Sequence, residues 1–150
     1  MSLRAIPLTI IAFVLYNVVV LFSGPSGTPE AAADGGAAAR ALLDSTIFSV
    51  SMISGGTWDF TWGDLIILVT LIILFVEIVK ATYTSASGLI DHGLSMLVFV
   101  AVLVEFIIVP QAATSVFFIM LVALLIDVVA GAIISIRVAR RDIGFGGLDH

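Results

Sequence analysis

No cysteine occurs anywhere in the chain, which excludes disulfide scaffolds, thiol redox chemistry and Cys-ligated metals. Basic residues are nearly as scarce: six Lys and Arg stand against eleven Asp and Glu, for a formal charge of −5. A nucleic-acid partner needs a basic patch, so that class is set aside. Only two histidines are present, His92 and His150. A lone internal histidine makes no metal site, so neither a metal nor a cofactor is expected. The chain has no Ser/His/Asp set, no H-E-x-x-H and no phosphate-cradling glycine loop followed by lysine, so it is not read as an enzyme. Charge of any kind is thin at 11%, while 61% of the residues are hydrophobic. A soluble domain has roughly half its residues apolar and about a quarter charged. The chain is therefore expected to be a single membrane domain over residues 1–150, with the lipid bilayer as its first partner.

The apolar residues fall into four runs, at about 5–22, 62–80, 93–109 and 115–137. The last is the most informative: at ~1.5 Å per residue its apolar part covers about 30 Å, the thickness of a bilayer's hydrocarbon core. It ends in Arg137, Arg140 and Arg141, a cluster that the positive-inside rule assigns to the cytoplasm. With the amino terminus inside, Arg4 and Lys80 fall on the same side and only Arg40 falls outside, so both termini are expected to be cytoplasmic. The first run follows Arg4 as a signal peptide would, but it is longer than a usual ~7–15-residue signal core. It is read as a retained helix. The fold class expected is an all-α membrane protein: a four-transmembrane-helix bundle, with a short β-hairpin in the outer loop between the first two spans.

That loop, residues 23–61, divides in two. GPSGTPEAAADGGAAA reads as a flexible low-complexity linker. FSVSM and TWDFTW then alternate apolar and polar residues around Ser54-Gly55-Gly56, the pattern of a hairpin with a two-residue turn. Its apolar face would carry Phe48, Val50, Met52, Trp58, Phe60 and Trp62. Trp58, Phe60 and Trp62 serve there either as an interfacial aromatic belt or as a contact for another protein.

Each of the last three spans holds one carboxylate within its apolar run: Glu77, Glu105 and Asp127. An intramembrane acid costs roughly 2.5–3.5 kcal/mol unless it has a partner, a proton or water, and is a functional-site hypothesis by default. Helical spacing turns all three toward protein. Each also has a structural reading. Glu77 can pair with Lys80 three residues on, Glu105 can reach headgroup water or the helix start at Thr114-Ser115, and Asp127 can glue helices by hydrogen bonding. The alternative is a proton or cation site. Around Asp127 runs a stripe of small residues, Ala123, Ala130, Gly131 and Ser135, of the kind through which membrane helices approach closely. Asp91-His92 reads as a capped helix start or a proton-handling pair.

The run from Asp91 to Asp142 contains DH, VEF, P-x-A-A-T-S, D-V-V-A-G and ARRD, and TW-x-F-T-W-G-D-L precedes it. In these motifs the chain resembles a group of small bacterial four-helix inner-membrane proteins with no known activity. The resemblance implies a multi-pass location in the bacterial plasma membrane and carries no catalytic residue. Self-association, or a place as an accessory subunit of a larger membrane complex, is the leading expectation. A proton- or cation-translocating unit is the alternative.

Overall fold

The computed structural model describes residues 7–21, 35–82 and 88–145, with the side chains of 21, 35, 88–91, 135 and 137–145 left out of the description. The elements follow in the order α1 (Thr9–Leu21), α2 (Gly35–Leu43), β1 (Thr46–Ser51), β2 (Thr57–Thr61), α3 (Trp62–Thr82), α4 (Gly88–Ile108), a 3-10 turn (Pro110–Ala112) and α5 (Ser115–Phe145). The protein is mostly helical, with one small two-stranded antiparallel sheet. Among the described residues, two helices are long and apolar enough to cross a membrane, Trp62–Thr82 and Ser115–Ile134. Only 17% and 33% of their apolar windows are buried inside the molecule, which is how lipid-facing helices look and not how the core helix of a water-soluble domain looks. The apolar parts of the others, Thr9–Val20 and His92–Ile108, are shorter. Large side chains such as Phe75, Leu97, Ile107 and Ile108 stand exposed on the flanks of α3 and α4.

Local chemistry sets the helix ends. At the start of α3, Thr61 Oγ1 accepts the N–H of Asp64 at 3.2 Å while Asp64 Oδ2 accepts the N–H of Thr61 at 3.0 Å, a reciprocal capping box. Pro110 stops α4 by removing a donor and forcing the preceding Val109 into extended backbone, φ −105° and ψ 116°. Thr114 then caps α5, its hydroxyl accepting the N–H of Phe117 at 3.1 Å.

Helix α5 is the principal packing partner, with α3 and α4 as its closest neighbours; α1 packs mainly on α3. The core lies toward the hairpin end, where Tyr16, Phe117, Ile66, Val102, Met120 and Leu124 are buried. Phe117 takes the Tyr16 ring edge-on at 4.7 Å and stacks on Phe106 at 6.1 Å. At Gly63 an added β-carbon would lie 2.9 Å from Val116 Cγ2, so this glycine lets the first turns of α3 and α5 meet.

Several boundaries differ from the sequence expectation. GGAAA, read as linker, opens α2, and the rest of the linker, from Gly24 to Asp34, lies outside the described residues. The helix forms because its alanines favour it and because the Pro110 turn receives it: a β-carbon on Gly36 would lie 2.8 Å from the Pro110 carbonyl oxygen, and Arg40 Nη1 donates to the Ala113 carbonyl at 3.3 Å. Helix α5 runs past residue 137 to Phe145, and α4 starts at Gly88 instead of 93. Trp62 belongs to α3 and not to the hairpin; with Leu15, Val18, Val19 and Leu42 it lines an apolar groove between α1 and the end of α2.

Candidate functional site

Two groups of residues qualify, the aromatic hairpin at one end and the intrahelical carboxylates. In the hairpin, Phe48 pairs with Phe60, Val50 with Trp58 and Ser51 with Thr57. Side chains alternate across a strand, so Phe48, Val50, Trp58 and Phe60 share one face. Phe48 and Phe60 stack at 4.8 Å and Trp58 meets Phe60 edge-on at 5.7 Å. The opposite face is polar, with Ser49 donating to Asp59 Oδ1 at 2.5 Å. The turn is a three-residue loop, Ile53-Ser54-Gly55, and not the two-residue turn expected. Gly55 N–H returns to the Met52 carbonyl at 3.0 Å, Met52 N–H reaches the Gly56 carbonyl at 2.8 Å, and Gly55 adopts φ 85°, the geometry of a turn followed by a left-handed glycine. This puts Ile53 at the tip, fully exposed at 109%. Every residue of β1 is exposed, and Trp58 with it. The expected apolar face is therefore present and preordered, without Trp62.

The carboxylates are placed separately. Glu77 is 3% exposed. It accepts the backbone N–H of Leu8, just before α1 begins, and pairs with Lys80 Nζ at 3.2 Å. A carboxylate at a helix start satisfies an orphan donor and meets the positive end of the helix dipole. Glu77 thus holds the start of α1 onto α3. The Lys80 pairing was legible from the three-residue spacing. The Leu8 contact spans 69 residues and left no local signal.

Glu105 is half-buried, with the Asn17 side-chain amide as hydrogen-bond partner. Asn17 also donates to the Phe13 carbonyl at 3.1 Å. The start of α5, which Glu105 was one candidate to cap, is closed by Thr114 and Tyr16. Tyr16 donates to the Gln111 carbonyl at 2.8 Å and lies 2.8 Å from Thr114 Oγ1. The Tyr16 ring is fully buried, with its hydroxyl spent on the Pro110 turn.

Asp127 is 8% exposed, some 18 Å along α5 by helical rise. Of the small stripe, Ala123 is buried, Ala130 and Gly131 are partly buried, and the Ser135 side chain lies outside the described residues. A β-carbon on Gly131 would lie 2.9 Å from His92 Nδ1. The stripe therefore seats the imidazole of α4 one turn below Asp127. The side chains of Asp91, Arg137, Arg140 and Arg141 are outside the described residues. Ser95, on α4 one turn above His92, is also buried. Asp64, at the hairpin end, serves the capping box described above.

Comparison with protein-family models, with curated proteins and with solved structures finds no match to this chain.

Proposed function

We propose that this chain is a non-enzymatic, four-span protein of a bacterial inner membrane that assembles with itself or as an accessory subunit of a larger membrane complex, through its outer hairpin. The single observation that carries this reading is the hairpin's uncovered aromatic face. A two-stranded hairpin is marginal in water, and contiguous exposed apolar surface on an ordered element marks an interaction site. The contacts of α5 with α1, α3 and α4 support the four-span reading, in which the shorter apolar stretches of α1 and α4 are the other two spans. The distribution of Arg and Lys sets both termini in the cytoplasm and the hairpin outside. Two of the three intramembrane acids support a scaffold role, since Glu77 holds the start of α1 and Glu105 is bonded to Asn17.

The test is the native mass and the co-purifying chains in mild detergent, for wild type and for Phe48→Ser with Phe60→Ser. The wild type is expected to run above the monomer mass or with a partner chain, and the double variant as a folded monomer. A wild type that is strictly monomeric, with nothing bound, would sink the reading.

Proton or cation translocation is the second reading, favoured by one observation: Asp127 is buried far along a span, beside the turn that carries His92. Flux into proteoliposomes that Asp127→Asn abolishes, with assembly intact, would establish it.

A further inference from the structure

The hairpin carries more than an apolar face, because its two edges are unequal. In an antiparallel ladder hydrogen-bonded and non-hydrogen-bonded pairs alternate. Starting from the bonded Met52–Gly56 pair at the turn, Val50–Trp58 and Phe48–Phe60 are bonded pairs, while Ser51–Thr57 and Ser49–Asp59 are not. The short Ser49–Asp59 side-chain contact fits this phase, since side chains lie closer in non-hydrogen-bonded pairs. The backbone N–H and C=O groups of Ser49 and Ser51 therefore point away from β2, along the outer edge of β1. On β2 the corresponding outward positions are Thr57 and Asp59.

Natural sheets protect open edges with charge, proline or bulges. Along β1 a bulge at Ile47 breaks the ladder between Thr46 and Phe48. From Phe48 to Met52 the edge then carries neither charge nor proline. The β2 edge carries Asp59, so pairing two copies through β2 would set the two carboxylates as diagonal neighbours on one face, at roughly 7–8 Å, which is unfavourable. The neutral β1 edge meets its own copy without that cost.

We propose that the protein forms a two-fold symmetric dimer by antiparallel pairing of β1 with β1 of a second copy, centred on Val50, to give a four-stranded sheet. This rests on the assembly reading and adds its partner and geometry. The centre follows from the free edge: only with Val50 opposite its own copy do the outward groups of Ser49 face those of Ser51 in the partner along the whole stretch from Phe48 to Met52. Four backbone hydrogen bonds form, and Phe48, Val50 and Met52 extend one apolar face across the junction. A sheet of this size has the strands a lone hairpin lacks. Because both copies share one membrane orientation, the two-fold axis lies along the membrane normal and the sheet lies parallel to the membrane surface.

The absence of native cysteine makes the test direct. At a non-hydrogen-bonded self-pair the Cα atoms lie about 4.5 Å apart, within the roughly 4.4–6.8 Å that a disulfide spans. Val50→Cys is expected to form a disulfide-linked dimer in membranes under mild oxidation. Trp58→Cys, its cross-strand partner on β2, is expected to stay monomeric on the same gel. Linking of both to the same extent, or of Trp58→Cys alone, would overturn the β1 pairing. In a second arm, Ser49→Pro removes two of the four intermolecular donors while leaving the bonds within the hairpin in place, since proline is tolerated where an edge N–H faces outward. Self-association should weaken by roughly tenfold or more. Ser49→Ala loses only the contact with Asp59 and should remain dimeric. If the wild type shows an oligomer or a bound partner chain and Val50→Cys does not link, the β1 pairing fails and the assembly reading stands. If the wild type is a monomer with nothing bound, both fail.

Discussion

At the hairpin end of the molecule two groups of aromatic residues sit beside tight turns and are treated in opposite ways. Around the Pro110 turn, Tyr16, Phe106 and Phe117 are packed on one another, and Tyr16 bonds the turn itself. Around the Ile53 turn, Phe48, Phe60 and Trp58 are packed on one another; Phe48 and Trp58 stay exposed and Phe60 is half-buried. The first cluster joins α1 to α4 and α5, which are distant from it in sequence, so its energy belongs to the fold. The second joins two adjacent strands and leaves its outer surface unspent. Ordered aromatic surface that does not hold the chain together is available for holding the chain to something else.

The largest expected effect tests the first half of that contrast. Phe117 is wholly buried between Tyr16 and Phe106, so Phe117→Ala should lower stability by about 3–5 kcal/mol through lost burial and the cavity left behind. The measurement is denaturation in detergent followed by circular dichroism. Phe60→Ala is the matched change on the hairpin and should cost about 1 kcal/mol or less in the isolated chain. An equal loss from both substitutions would break the contrast. Loss of assembly with Phe60→Ala alone would sharpen it.

Next in size is Tyr16→Phe. The ring and its packing remain, but the Gln111 carbonyl loses its donor and Thr114 loses a partner, at about 1–3 kcal/mol for buried groups left unsatisfied. The same measurement applies. A change within error would mean that the Pro110 turn is held by α2 through Gly36 and Arg40 and not by α1.

What the sequence made legible follows from the range of the forces involved. The hairpin was readable because its signals are local: alternation over five residues on each side, and glycines between. Two of the four apolar runs were readable as helices of membrane-crossing length, because a bilayer demands length and composition. The Glu77–Lys80 pair was readable from one helical turn of spacing. By contrast α2 reads as low-complexity alanine and glycine, and what marks it as a helix with a place is a close approach to Pro110 and Ala113, more than seventy residues away. The use of Glu77 at the start of α1 and of Gly131 as a seat for His92 are likewise contacts between distant segments. A single sequence lists the residue types for such contacts without pairing them.

The smallest expected effect lies at the far end from the hairpin, where the interior is polar. Thr9 is buried at 3% exposure, and among the described residues its hydroxyl is the buried side-chain group with no hydrogen-bond partner. Its neighbour Leu8 carries the N–H that Glu77 accepts, so the hydroxyl sits where α1 begins. A buried hydroxyl without a partner costs about 1–3 kcal/mol on mutational scales. Thr9→Val keeps the branched shape and removes that oxygen, so the change should raise stability by about 1 kcal/mol, part of the gain being offset by imperfect refitting of the new methyl. Thermal denaturation of the variant in detergent, with Tyr16→Phe run beside it, reads the sign. If both variants lose stability, the Thr9 hydroxyl is bonded, through water, into a network like that of Tyr16, and the two ends of α1 are held by the same kind of interaction. If Thr9→Val gains while Tyr16→Phe loses, the polar satisfaction of α1 is concentrated at the hairpin end. That end is then the rigid base from which the hairpin presents its bare aromatic face.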